Sequence, residues 1–397
     1  MFLHIEGGSV CGSLAVCDLK KPAHIVFSCD ETFSTDDAGS ATSTSAALPV
    51  LDALSAAVKK VLLGIERDGL AHLTFTPLGS RKIMRVHCTV ASPWFLSQTK
   101  TVSQSFAQEK VYVEAEVKAM VEQEVQVLIE HFKTSEYGER FNETLEVLES
   151  DVISLSLNGY ENAQPKGKKA KEMSFSLYIS LVASDLVSRI SDTVDEAFHS
   201  GASVHFHTFP LVLFSVIRDI PSIPQHLLLV DVDGEVTDLT IVKKGVPIQT
   251  ITVPKGVNAF VSALAAEAKL TPENALSFLS MHGEETLSEE TRKKVGPVIA
   301  RLKKEWQSAV AGSLDLLTEE CFIPGTVLVA AEDRMQSLFS ALLTDHSLGH
   351  GSTDGTPFSI LTFDREFMKT HFDLSVPADH SVNSLVTALF VNRLIGR

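Results

Sequence analysis

Long apolar runs are missing from this 397-residue chain. Stretches such as LVLF at 211–214 end after about one helical turn, far short of the ~20 residues a membrane-spanning helix needs. The opening MFLHIEGGSVCGSLAVCD lacks a basic n-region and a long apolar h-region, so no secretory leader is expected. Cysteine is sparse: Cys11, Cys17, Cys29, Cys88 and Cys321 are odd in number and contain no CxxC pair. That excludes a disulfide framework as the basis of the fold and fits reduced thiols in a cytoplasmic chain. Positive charge is also short, with 34 Lys and Arg against 50 Asp and Glu and a net charge of -16. A nucleic-acid backbone is therefore not the expected partner, and direct electrostatic attachment to an anionic membrane is disfavoured. No Gly-x-Ser-x-Gly elbow, Walker A loop or HExxH helix is present.

What is there is a folded composition, 44% hydrophobic and 21% charged, long enough for two to four substructures. Residues 2–33, FLHIEGGSVCGSLAVCDLKKPAHIVFSCDETF, read as three strands joined by a Gly7-Gly8 turn and a Lys-Lys-Pro turn. Residues 226–254, HLLLVDVDGEVTDLTIVKKGVPIQTITVP, repeat that order with an Asp-Gly turn and a Lys-Lys-Gly turn. A helix-period segment follows each: 48–65, with Leu51, Leu54, Val58, Val61 and Leu62 on one face, and 258–270. One β-β-β-α unit thus occurs twice, the copies about 225 residues apart, too far for a solenoid. Two similar α/β lobes are expected.

Between the copies lie an amphipathic helix, 113–132, with Val117, Met120, Val121, Val125 and Leu128 on one side, and two strands, 151–160 and 172–182. A second helix follows at 183–198. Helix, strand, strand, helix over 98–199 predicts a small α+β unit. Lys166, Lys168, Lys169 and Lys171 sit in the loop between its strands. They read as a solvated turn, the alternative being a contact with acidic lipid or a partner. The segments 36–47 and 348–357 read as loops. Residues 82–95 read as a buried strand. In HFH, 205–207, alternation puts His205 and His207 on one face, expected to be solvated, with no third metal ligand in view.

The stretch DVDGEVTDL, 231–239, admits three readings. As a calcium loop it fails, because strands rather than helices flank it and the further oxygen ligands are missing. As local structure it is a hairpin. As an anion site, its turn amides form a concave donor set, with Asp231 able to hold Mg²⁺ through water and Thr237 able to touch a terminal phosphate. Asp231 and Asp238 are otherwise plain hairpin residues, and Glu6 a plain structural one.

DVDGEVTDL resembles the second phosphate hairpin of the actin-like ATPase superfamily, Asp-x-Gly-Gly-Gly-Thr-Thr-Asp, and IEGGSVCGSLAV, 5–16, resembles the first, Asp-x-Gly-Ser-x-x-Val. VPKGVNAFVSALA, 253–265, looks like the iPlGGnalTeala segment of the FtsA and PilM branch. The resemblance implies an α/β protein of two actin-like, ribonuclease-H-type lobes with an inserted SHS2-type α+β subdomain. The first lobe would span 1–97, completed by 200–222 and 370–397. The insertion would span 98–199 and the second lobe 223–369. It implies an ATP and Mg²⁺ cleft, retained or vestigial, lined by Glu6, Gly8, Ser9, Asp231, Gly234, Thr237, Asp238, Gly256, Ala330 and Ala331, with Asp231 the candidate catalytic base and Mg²⁺ contact.

Departures from the pattern lean against an enzyme. Glu6 stands where the family has Asp, Asp233 and Glu235 occupy Gly positions, and Ala330-Ala331 replaces the Gly pair of the adenosine motif. The role implied is that of a PilM-like scaffold in type IV pilus assembly. It would be cytoplasmic and peripheral to the inner membrane face, binding the cytoplasmic tail of a membrane partner and open to self-association. The alternatives are an FtsA-like cell-division membrane tether and an active ATPase or kinase. For the terminal segment HSVNSLVTALFVNRLIGR, 380–397, packing on the first lobe is expected over membrane anchoring.

Overall fold

The computed structural model describes residues 1–18, 21–33, 47–73, 83–133, 144–162, 164–198, 201–218, 220–318, 322–344, 357–372 and 381–395. The loop readings at 36–46 and 348–356 lie outside the described residues.

The first sheet begins as the sequence pattern predicts. Strands β1 (Phe2–Ile5), β2 (Ser9–Asp18) and β3 (Lys21–Thr32) form a meander, and helix α1 (Ala47–Gly64) follows. A π-helical turn, Ile65–Gly69, and the short α2 (Leu70–Leu73) lead towards β4 (Arg85–Val90). β4 lies parallel to β1, with Phe2 opposite His87 and Ile5 opposite Val90. The chain then leaves through β5 (Phe95–Val111), α3 (Glu114–Lys133), β6 (Leu145–Leu157), β7 (Tyr160–Glu161), β8 (Lys169–Ala183) and α4 (Ser184–Phe198). It returns as β9 (Ser203–Thr208), parallel to β4, and α5 (Phe209–Ile217). The sheet order is β3-β2-β1-β4-β9.

The second lobe repeats this plan. β10 (Leu227–Val232), β11 (Thr237–Lys243) and β12 (Val246–Val253) form its meander. Helices α6 (Val257–Ala268), α7 (Pro272–Gly283) and α8 (Glu289–Thr318) cover one face. β13 (Thr326–Ala331), α9 (Asp333–Thr344), β14 (Ser359–Phe363) and α10 (Arg365–Phe372) complete it. The order β12-β11-β10-β13-β14 is the first lobe's order over again, so the doubled unit read from sequence is a doubled sheet topology. β10 is buried along its whole length, as a strand packed on both faces must be.

The inserted unit has its own sheet, β5-β8-β6-β7. Val117, Val121, Val125 and Leu128 of α3 bury against it with Phe175, Leu177 and Ile179. It differs from the sequence reading in two ways. A 17-residue strand, β5, starts at Phe95 and runs across position 98. Its outer half is mostly polar and exposed, so no alternating apolar pattern marks it. Helix α4 sends Leu186, Ile190 and Val194 into the core of the first lobe, with Leu54, Val58 and Val61 of α1.

The last helix, α11 (Val382–Ile395), returns to the first lobe. Val382, Leu385, Val386, Leu389, Phe390 and Val391 are buried in a core shared by both lobes, together with α5, apolar but for Ser215. Each such side chain contributes roughly 1.5–3 kcal/mol through burial, so the sum holds α11 in place. Packing wins over exposure to lipid here. Among the described residues no helix is long and apolar enough to cross a membrane.

Candidate functional site

The two hairpin turns face each other where the lobes meet. In the first turn the Glu6 amide donates to the Ser9 carbonyl at 2.9 Å. Ser9 Oγ donates to Glu6 Oε2 at 2.8 Å, and Asn383 Nδ2 of α11 donates to Glu6 Oε1 at 3.0 Å. His4 Nε2 lies 3.2 Å from the same oxygen, and Trp94 Nε1 donates to the Glu6 carbonyl at 2.7 Å. Burial works against the Glu6 charge. The bonds from His4, Ser9 and Asn383 outweigh it and hold the carboxyl below its ordinary pKa.

In the second turn the Asp233 amide donates to the Val236 carbonyl at 3.0 Å. The turn also caps α6: Val257 N–H donates to the Asp233 carbonyl at 3.0 Å and Asn258 N–H to the Gly234 carbonyl at 2.7 Å. Those amides belong to the donor set an anion would use at a helix N-terminus, and here protein carbonyls occupy them. Gly256 serves the same contact. A Cβ there would lie 2.3 Å from the Asp233 oxygen and 2.5 Å from the Gly234 oxygen. The sequence pattern marks this glycine, and its demand is helix against turn.

Three aspartates are buried behind the turn. Asp231 and Asp238 are cross-strand partners on β10 and β11. Alternation places Asp231 on the face that carries Leu227 and Leu229 towards the other lobe. Asp238 accepts from Ser92 Oγ and from Thr252 Oγ1, each at 2.6 Å. Ser92 follows β4, so the first of these bonds joins the lobes. Burial raises the pKa of Asp238, opposed by those two hydrogen bonds. Burial also raises Asp231 and Asp233 well above the carboxylate range, and the neighbouring charges that add to it are all carboxylates.

Of the other predicted residues, Thr237 is committed elsewhere. Its hydroxyl donates to the Lys255 carbonyl at 2.8 Å and accepts from Trp306 Nε1 at 3.1 Å. Ala330 stands beside Asp231 in the parallel ladder and Ala331 beside Val232. Ala330 belongs to the interlobe core and Ala331 packs on the core of the second lobe. After them, Asp333 pairs with Arg365. The structure therefore gathers Glu6, Gly8, Ser9, Asp231, Gly234, Asp238 and Gly256 at one junction, and turns Thr237 and the alanine pair into packing. A general base must be ionised and must reach a water or hydroxyl. Asp231 is buried and its pKa is raised, which works against the first requirement. Among the described residues no group of three His, Cys, Asp or Glu can hold a metal ion.

The side chains between the turns are those of Glu235, which the sequence marks as standing at a glycine position of the second turn, and Asn258. Glu235 reaches from the second turn onto the first. A Cβ on Gly7 would lie 2.6 Å from its Cγ, and one on Gly8 3.4 Å from its Oε1. Asn258 Nδ2 donates to that Oε1 at 2.8 Å. Asn258 had a signal, since the iPlGGnalTeala pattern carries an asparagine there. Ser92, far away in sequence, had none.

The histidines also depart from expectation. His205 is exposed, but His207 stacks on the buried His87, with Nδ1 of His87 3.2 Å from Nε2 of His207, and meets Phe390 edge-on. Burial lowers His87 to about 3 and His207 to about 4. The solvated face of the sequence reading is thus half a packed one, because α11 covers it.

No family model matches this chain, and no curated protein matches it. Solved structures do. The PilM–PilN type IV pilus biogenesis complex is similar at 12% identity, covering 100% of this chain and 98% of that one, with a TM-score of 0.56. The ethanolamine utilization protein EutJ from Carboxydothermus hydrogenoformans is similar at 12% identity over 98% and 88% of the two chains, TM-score 0.43. The cytoplasmic domain of EpsL, from the type II secretion system of Vibrio cholerae, is similar at 9% over 100% and 94%, TM-score 0.34. The chain has the two-lobed actin-like fold, in an arrangement like that of PilM.

Proposed function

We propose that this chain is a PilM-like scaffold of type IV pilus assembly. In this reading it is cytoplasmic and sits at the inner face of the membrane, where it binds the cytoplasmic tail of a membrane partner. The observation that carries the reading is the end-to-end likeness to the PilM chain, which takes in the inserted unit as well as both lobes. That likeness is one of fold, and the step from fold to role is the proposal. The partner's tail is placed beside the inserted SHS2-type subdomain.

The cleft is degenerate in this reading. The residues present do not fit a Mg²⁺-nucleotide between the turns: Glu235 and Asn258 fill the gap, Thr237 is spent on Lys255 and Trp306, and the aspartates are buried in one another's company. An active ATPase or kinase is correspondingly disfavoured. The FtsA-like tether is disfavoured by the burial of the apolar face of α11.

The test is a pull-down of the tagged full-length chain from detergent-solubilised membranes of its own cell, read by mass spectrometry. Enrichment of a pilus inner-membrane component is expected, and its absence from repeated preparations overturns the assignment. Two further assays separate the alternatives. Titration calorimetry with Mg-ATP is expected to give no binding heat, for the wild type and for Asp231→Ala alike. Liposome sedimentation of the full chain is expected to recover the protein in the supernatant. Recovery of the full chain with the liposomes would favour the tether.

A further inference from the structure

The contact between the two turns joins the lobes through protein atoms alone. The stem of Glu235 lies against Gly7 so closely that even a methyl group on Gly7 would meet its Cβ at 2.8 Å and its Cγ at 2.6 Å, and Cδ of Pro93 at 3.2 Å. At Gly8 a Cβ would stand 3.0 Å from Nδ2 of Asn258. The glycines of the first turn thus admit a side chain of the second turn. Asn258, at the start of α6, then fixes the carboxylate by donating to Oε1. The backbone of Asn258 is itself tied to the Gly234 carbonyl, so the turn, helix and carboxylate form one closed unit. Nearby, the bond from Ser92 to Asp238 ties the same two lobes a second time.

An anion bridging two walls needs a donor on each wall at about 2.9 Å from its oxygens, plus its own width. Here the walls are one side chain apart. The carboxylate of Glu235 already supplies the negative oxygen, and Asn258 already supplies a donor.

We propose that Glu235 is a built-in interlobe latch: its stem, seated against Gly7, and its carboxylate, beside Gly8 and held by Asn258, pack the two turns together. That the gap it fills corresponds to a nucleotide clasp rests on the actin-like reading above. The latch itself rests only on the contacts. Closure of the lobes through this contact is expected not to depend on nucleotide.

Hydrogen exchange read by mass spectrometry on the full chain tests this, with peptides covering 5–9 and 233–237. In the wild type both turns are protected, and Mg-ATP leaves the exchange unchanged. Glu235→Ala is expected to speed exchange at both turns by about tenfold or more, through loss of its packing on Gly7 and of its hydrogen bond from Asn258. Glu235→Gln, which keeps the length and an acceptor oxygen, is expected to retain most of the protection. Asn258→Ala reads the same latch from its other half and serves if Glu235→Ala fails to fold. Unchanged exchange at the first turn in the folded alanine variants overturns the latch. So does a wild type whose turns gain protection on addition of Mg-ATP. A failed pull-down removes the pilus role and leaves the exchange result standing.

Discussion

Gly256 and Asp233 meet where the hairpin turn abuts α6 and make opposite predictions. Gly256→Ala drives a methyl group into two backbone carbonyls, and neither is a flexible side-chain end that can swing away. It is expected to cost about 1–3 kcal/mol, read as a lower midpoint in urea unfolding. Asp233→Asn removes a buried acid whose neighbouring charges are all carboxylates. A carboxyl whose pKa is raised by folding holds its proton in the native state. Its contribution is full below the unfolded pKa and is lost as pH rises towards the folded one. Asp233→Asn is therefore expected to raise Tm, more at pH 8 than at pH 5. A rise of equal size at both would place the effect in packing.

Between elements, a buried carboxyl joins parts. Glu149 of β6 accepts from the Thr208 amide at 3.0 Å, from Thr208 Oγ1 at 2.5 Å and from Ser180 Oγ at 2.8 Å. It thereby pins the inserted sheet to the first turn of α5. Burial, against those hydrogen bonds, lifts its pKa to about 7. Its stabilising share is therefore present below about 4.5 and declines as pH rises through 7. Wild-type Tm is expected to fall between pH 5 and 8 by an amount that Glu149→Gln removes.

His87 and His207 act in the other direction. Their lowered values mean stability present above 6.5 and lost as pH falls towards 4. His207→Gln is expected to flatten the acid limb of a Tm–pH curve. None of this was legible in the sequence. Glu149 and Thr208 are 59 residues apart, and only the β6–β9 junction brings them together. What was legible depended on local period: the two meanders, α1, α3 and α11 each carry their pattern in consecutive residues. β5 was missed because its exposed half has no apolar alternation. The turn of Gly234 was read correctly as a hairpin, but the meeting of Glu235 with Gly7 across the lobes had no local signal.

At the scale of the whole molecule, α11 and α5 together fill the space between two sheets of identical order. Deleting residues 381–395 uncovers that core, and the expected outcome is a marked loss of soluble, cooperatively melting protein, measured by thermal unfolding and sedimentation. A truncated chain that melts like the full one would show that α11 is an ornament. The bond from Asn383 to Glu6 closes a separation of 377 residues, whereas the strands of the second lobe all lie between Leu227 and Phe363. During synthesis the second lobe is complete while the first still lacks its final helix. Although its strands emerge first, the first lobe is finished last, and until then it carries an open apolar seam that chaperones, or another nascent copy, can find.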